Sequence, residues 1–283
     1  LIESKNVSAT FKEAENGKIT VNGEEITGTK TFTGSSYEQY NLSAIPADGY
    51  AFVGWFNETS NSYIQAGASA QIYISDDCTI TAKFAAAGTT FEAGESKFND
   101  LGDALACAVS NDISVVTLLE DSEISGSYTI PVGVTLLIPF DDDKTLYTDT
   151  PGFTTGGTSK FRTMQMSDGA SLVVKGAISV GGRLYSASGG KSGYIAGPYG
   201  YISMSENSSI TVKDGGTLYA WGFISGDGTV KVESGGNVYE WYQITDFRGG
   251  SAMRTIALTN KDKKIFPLSQ YYVQNIEVPL TIY

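Results

Sequence analysis

The 283-residue chain has no histidine, two cysteines, seven prolines and four methionines. Without histidine, no Ser-His or Cys-His nucleophile pair and no His-ligated metal centre can be assembled. Carboxylate chemistry survives this exclusion, because a glycosidase needs only two Asp or Glu. The two cysteines, Cys78 and Cys107, are too few for a disulfide framework and read as buried free thiols in separate domains. Basic residues are scarce too: 19 Lys and Arg stand against 31 Asp and Glu, a net charge of −12. Acids outnumber bases on both sides of residue 86, so neither region carries the positive footprint that nucleic acid or an anionic membrane requires. No apolar run approaches the roughly 20 residues of a membrane span, so no membrane insertion is expected within this segment. The chain opens Leu1-Ile2-Glu3 without a charged-then-apolar leader and closes on the strand-like Leu280-Thr281-Ile282-Tyr283. The expectation is a piece of a longer polypeptide.

Glycine (33) and tyrosine (17) are abundant, and only 18% of residues are charged, a composition typical of turn-rich extracellular β proteins. The plainest signal is a repeat. Ile210-Thr-Val-Lys-Asp-Gly-Gly-Thr-Leu-Tyr-Ala-Trp221 is followed by Val230-Lys-Val-Glu-Ser-Gly-Gly-Asn-Val-Tyr-Glu-Trp241 at a period of 20. A fainter copy, Leu172-Val-Val174 and then Gly181-Gly-Arg-Leu-Tyr185, lies upstream. Each copy is a β-branched run, a Gly-Gly turn and a second short strand. One such unit cannot bury its own apolar face, so neighbours must stack, which predicts a β-solenoid.

Residues 7–84 alternate apolar and polar side chains between turn signals at Glu15-Asn-Gly17, Asn22-Gly23, Ala47-Asp-Gly49 and Ser75-Asp-Asp77, the pattern of a small, mostly antiparallel β module. Within it, Gly49-Tyr50-Ala-Phe52-Val-Gly54-Trp55 and the closing Thr81-Ala82-Lys83-Phe84 resemble the divergent internalin-type B-repeat. That resemblance implies a β-grasp-like spacer or adhesive module of bacterial surface proteins, with no catalysis. Tyr50, Phe52 and Trp55 are expected in its core.

Ala85-Ala-Ala-Gly88-Thr-Thr90 breaks the alternation and reads as a linker, giving domains 1–86 and 87–283. Apolar residues at i, i+3, i+4 and i+7 across residues 98–109 then predict an amphipathic helix capped by Asn99 or Asp100. A helix leading into stacked strands resembles the entry to right-handed parallel β-helices of bacterial surface proteins, where it covers the open end of the stack. The fold class expected is therefore all-β, a β-grasp-like module followed by a β-helix with one N-terminal capping helix and a C-terminal truncation. Asp141-Asp142-Asp143 has neither EF-hand nor nonapeptide spacing and reads as a solvated loop. Segments 141–169 and 188–200 look like insertions, which solenoids tend to project from one side.

The candidate ligand-binding residues are Tyr185, Tyr219, Trp221, Tyr239 and Trp241. Equal registers on stacked rungs superimpose, so their rings are expected to form a ladder at about 4.8 Å spacing. If Leu218 and Val238 point inward, alternation puts the rings outside, as a strip for sugar rings or a partner chain. Glu240 shares the parity of Val238, so the opposite phase, an internal stacking ladder, remains open. The function expected is a non-catalytic, extracellular or cell-surface adhesin, stalk or binding surface. No cofactor and no metal are expected, and a glycan or a surface protein is the partner. The rivals are a β-helix polysaccharide lyase or hydrolase and a carbohydrate-binding module.

Overall fold

The structure, a computed structural model, describes residues 5–139, 162–180, 200–220, 223–243, 251–256 and 265–267. It is mostly strand, and α1 is the single helix among the described residues. Two compact units meet in sequence between Val116 and Thr117.

The first unit comprises β1 (Asn6–Lys12), β2 (Gly17–Val21), β3 (Glu24–Glu25), β4 (Thr29–Ser35), β5 (Glu38–Pro46), β6 (Tyr50–Asn57), β7 (Ser62–Ile64), β8 (Ser69–Ile74), β9 (Cys78–Ala93), β10 (Ser96–Phe98) and α1 (Leu101–Ser110). One sheet joins β6, β9, β1 and β4, with β7 on β6 and β10 on β9; the other has the order β3-β2-β5-β8. Pairing is antiparallel except between β1 and β9. Their facing sides enclose Phe11, Ile19, Val21, Tyr40, Leu42, Trp55, Ile72 and Ile80, all buried. Trp55 is fully buried and its indole N–H donates to the Gly67 carbonyl at 3.0 Å. Phe52 is buried as expected, but Tyr50 is 37% exposed at the start of β6, which corrects its assignment to the core.

The segment 85–90 is not a linker. It lies inside β9, which pairs with β6 through Ala86 and with β10 from Ala87 to Ala93, and Ala85, Phe91 and Ala93 remain buried. The first unit therefore runs past the 86/87 boundary read from the sequence. The helix falls in that unit as well. Asp100 caps it, accepting from the Asp103 N–H at 3.1 Å, and its buried face of Leu101, Ala104, Leu105, Cys107 and Ala108 packs among β6, β7, β9 and β10.

A β-bulge in β6 docks the helix. The β6–β9 register slips between Phe52 and Gly54, which leaves Val53 outside the pairing. Its carbonyl accepts from the Ser110 hydroxyl and from the Asn111 side-chain amide, the latter at 2.9 Å. Gly54 permits this approach, because a Cβ there would lie 2.4 Å from Ser110 Cβ and 2.9 Å from the Tyr63 ring. The Gly-Trp pair of the sequence motif thus serves two contacts: Gly54 admits the helix and Trp55 fills the core.

β11 (Val115–Leu118) carries the chain across the unit boundary. The second unit then contains β12 (Ser122–Ile124), β13 (Ser127–Ile130), β14 (Thr135–Ile138), β15 (Arg162–Met166), β16 (Ser171–Val174), β17 (Ala177–Val180), β18 (Gly200–Met204), β19 (Ser209–Val212), β20 (Thr217–Ala220), β21 (Phe223–Gly226), β22 (Thr229–Val232), β23 (Asn237–Gln243), β24 (Ser251–Ile256) and β25 (Ile265–Pro267). Successive strands enter three parallel sheets in rotation: β12-β15-β18-β21, β13-β16-β19-β22 and β14-β17-β20-β23. β25 and β24 close the last two sheets with antiparallel pairing. Buried residues alternate with outward ones along most of these strands, and the registers superimpose like on like. Ile130, Val174, Val212 and Val232 form one row, and Leu136, Ile178 and Leu218 another. Connections from the first sheet to the second and from the second to the third are two to four residues long. The longer ones, from Ile138 to Arg162 and from Val180 to Gly200, both lead from the third sheet back to the first.

The Gly-Gly of the repeat has a separate reason at each position. Gly215 takes φ +74°, where a Cβ is disfavoured, in a turn with open space around it. Gly216 lies against the strand beneath, and a Cβ there would stand 2.1 Å from the Val174 carbonyl oxygen.

Two outcomes are expected. Gly54→Ala should destabilise the first unit by about 1–3 kcal/mol through overpacking, read as a lower melting midpoint. Gly216→Ala should destabilise the second unit, whereas Gly215→Asn should be nearly neutral, since Asn tolerates the left-handed region. Equal melting curves for Gly216→Ala and Gly215→Asn would refute the close approach.

Candidate functional site

Of the five candidate residues, Tyr219 is the one whose side chain the structure describes. It is half-buried on β20 beside Leu218, which is 2% exposed and faces the interior. For Tyr219 this decides between the two phases: it stands on the outward side. Tyr239 is its register partner on β23, and Trp241 pairs with Met253 of β24. Tyr185 and Trp221 lie outside the described residues. The place expected for Tyr185 is nevertheless taken, because Ser179 of β17 stands in register with Tyr219. The faint third copy misaligns because its turn, Lys175-Gly176, is shorter than the four-residue turn 213–216. The described ladder therefore reduces to the Tyr219–Tyr239 register pair.

Among the described residues, acids do not converge on this face. Glu233 sits in a turn, where the Lys213 ammonium donates to it at 2.8 Å and Lys231 approaches at 3.4 Å. The hydrogen bond from Lys213 holds the Glu233 carboxyl below the usual carboxylate range. Among the described residues, no three of Cys, Asp and Glu come together as a metal site. Asp141-Asp142-Asp143 lies outside them.

In the first unit, an open depression of about 270 Å³ is lined by Gln65, Ala66, Gly67, Asn111 and Asp112. The Asn111 amide is committed to the Val53 and Cys107 carbonyls at 2.9 Å, and Asp112 is the lone carboxylate, so the depression holds no acid–base pair. Cys78 and Cys107 are free and buried as expected, but both belong to the first unit rather than to separate domains. Burial pushes the Cys107 thiol up to about 11 and raises that of Cys78. Neither supplies thiolate near neutral pH.

A second surface escaped the sequence analysis. The outer side of the β3-β2-β5-β8 sheet carries Gln39, Asn41, Gln71 and Tyr73, all exposed, with Gln39 opposite Tyr73 and Asn41 opposite Gln71. The Tyr73 hydroxyl donates to Gln39 Oε1 at 3.2 Å, and the Gln39 amide donates to Asn41 Oδ1 at 3.3 Å. Tyr37, in the preceding turn, is 59% exposed and Tyr73 62%. The alternation of Gln39 and Asn41 with the buried Tyr40 and Leu42 was a usable signal. The cross-strand register that brings 71 and 73 beside them was not.

Two measurements follow. Leu218→Ala should cost about 2–5 kcal/mol, as expected for a buried leucine, and Tyr219→Ala less than about 1 kcal/mol. A Tyr219→Ala loss as large as that of Leu218→Ala would place the ring in the core. Cys107 has a folded-state pKa above its ordinary 9.0. The stability it lends is therefore intact below pH 9 and lost as pH rises through about 11. The first unit's melting midpoint should fall across that window, and less steeply in Cys107→Ala.

Residues 6–88 match the family model described as the divergent InlB B-repeat domain. No curated protein and no solved structure matches the chain. The match ends inside β9, so the first unit is similar to that B-repeat domain over its β-rich part, up to but not including the helix.

Proposed function

We propose that the chain is a non-catalytic part of a secreted or cell-surface bacterial protein, in which a B-repeat module precedes a right-handed parallel β-helix that serves as stalk and binding surface. The family-model match over residues 6–88 carries the surface assignment, since B-repeats are typical of bacterial surface proteins. The β-helix is supported by the rotation of successive strands through three parallel sheets in fixed register. Right-handed winding follows from the steric preference of parallel β crossovers, about 98% of which have that hand. The β-grasp-like reading of the first unit is supported by α1 packed across β6 and β9.

The absence of histidine supports a non-catalytic role. The rival is a β-helix polysaccharide lyase or hydrolase, which needs carboxylates on neighbouring strands with a Lys or Arg close by. Along one outward row of the first parallel sheet, Glu123 is followed in register by Gln165, Ser203 and Ser225, so its carboxylate is not repeated on the strands above. A second reading, a carbohydrate contact along Tyr219, Trp221, Tyr239 and Trp241, is favoured by the outward position of Tyr219.

Antibodies raised against the purified chain should label intact cells of the producing organism, and the label should disappear after protease shaving. Incubation with polyuronates and neutral polysaccharides should release neither unsaturated uronides nor new reducing ends. Label confined to lysed cells would overturn the surface assignment, and either product would favour the enzyme.

A further inference from the structure

We infer that the outer face of the first unit's β3-β2-β5-β8 sheet, at Tyr37, Gln39, Asn41, Gln71 and Tyr73, is a binding site for a neutral glycan. The inference rests on the non-catalytic surface reading for its setting, and on four observations for its substance.

The first is exposure. Tyr37 and Tyr73 are the most exposed aromatic residues among those described. The Tyr37 backbone N–H donates to the Ile74 carbonyl at 2.7 Å, which holds the turn carrying Tyr37 against β8, the strand that carries Tyr73. The two rings can therefore meet one ligand.

The second is backbone conformation. Among the described residues, six that are not glycine adopt positive φ, and five of them are the tolerant types: Asn16, Asn22, Asn61, Asp112 and Asn207. Tyr37, at +68°, is the exception. A tyrosine gains no local hydrogen bond from its side chain there and strains the turn. Its ring is not held inside a core in return, since the residue is 59% exposed.

The third is charge. Across the patch Gln39, Asn41, Ser43, Ser69, Gln71 and Tyr73 carry no charge, in a chain whose net charge is −12. Glu38, next to Gln39, has the opposite parity, and its carboxylate occupies the space over Gly34 of β4. The charges at the margin pair with one another, Lys5 with Asp76 at one end and Lys18 of β2 with Glu25 of β3, at 3.3 Å, at the other. Such a surface offers a polyanion no counter-charge and a basic partner no acid. It is complementary to a neutral ligand.

The fourth is hydrogen-bonding chemistry. A sugar ring presents an apolar C–H face, which stacks on a tyrosine, and hydroxyls that both donate and accept. Carboxamides match such hydroxyls in both senses. The Tyr73–Gln39–Asn41 hydrogen bonds fix these groups before a ligand arrives, which lowers the entropic cost of binding.

Native affinity electrophoresis of the whole chain through gels containing a soluble neutral polysaccharide (mixed-linkage β-glucan, xyloglucan, galactomannan or yeast mannan), with alginate as the polyanionic control, tests this. Retardation in at least one neutral gel, unchanged at raised salt and absent in alginate, is expected. Tyr73→Ala and Gln71→Ala should each weaken it by about threefold to tenfold. Tyr37→Asn should weaken it similarly while raising the melting midpoint, because the strain at φ +68° is relieved. No retardation in any neutral gel, retardation in alginate alone, or retardation unaffected by Tyr37→Asn and Tyr73→Ala would each overturn the site. So would a Tyr37→Asn variant that melts lower than the parent chain. A concentration-dependent dimer abolished by Tyr73→Ala, without retardation, would assign the face to a second copy of the chain. Cells that fail to label at the surface while the purified chain still binds would remove the surface reading and leave this site standing.

Discussion

Two-residue alternation is the constraint from which both units are built. Buried and outward side chains alternate along β1, β2, β5 and β8 and along most strands of the parallel sheets, though not along β6, which is buried from Ala51 to Trp55 with the helix packed against it. A slip of one residue along an alternating strand would exchange the core for the outer face. In the first unit this fixes β5, whose Tyr40, Leu42 and Ala44 are buried while Gln39 and Asn41 are exposed. In the second it fixes the rows of Ile, Val and Leu that lie over one another from strand to strand. Fully burying each such side chain contributes on the order of 1.5–3 kcal/mol. That is large enough for the rows to set the register, with the exposed residues along for the ride.

Division of labour follows from the same constraint. Core residues hold the strands, and outward residues are released from packing to meet whatever lies outside. Tyr219 and Tyr73 stand on outward sides next to buried neighbours, Leu218 in one case and Ile72 and Ile74 in the other. Substitution of an outward residue therefore tests contact with a partner, and substitution of its neighbour tests the scaffold. Tyr37 departs from this pattern because its backbone is strained as well as its ring exposed, so stability and binding are expected to move in opposite directions there.

Much of the fold was legible in the sequence. The turn at Asn22-Gly23, the helix with its Asp100 cap, the core position of Trp55 and the stacked copies around 212 and 232 all follow from local rules: positive φ, capping and periodicity. What escaped was decided by partners distant in the chain. Ala85-Ala-Ala-Gly88 has weak strand propensity, yet β6 and β10 pair along it and make it strand. The helix resembled a solenoid cap, but the bulge at Val53 and the missing side chain of Gly54 give it a seat in the first unit. Tyr185 was placed in the ladder by counting residues after a glycine pair, and a shorter turn puts Ser179 there instead. The outward side of Tyr219 could not be read because Glu240 offered a contrary parity. The β5–β8 face was invisible, since register between strands some thirty residues apart leaves no mark in either segment.

Short connections occur at two of the three passages between parallel sheets, while the longer ones leave from the third sheet and return to the first. The two tight passages are locked by carbonyl-to-glycine packing such as that beneath Gly216. The remaining passage spans many residues after Ile138 and after Val180 but two after Ala220. Loop length costs little, since each doubling adds only about 0.6 kcal/mol of closure entropy. The chain thus has a port at which peptide can be gained or lost without retuning the core. For anyone wishing to display a foreign epitope on this scaffold, the two residues between Ala220 and Phe223 are the place to open it.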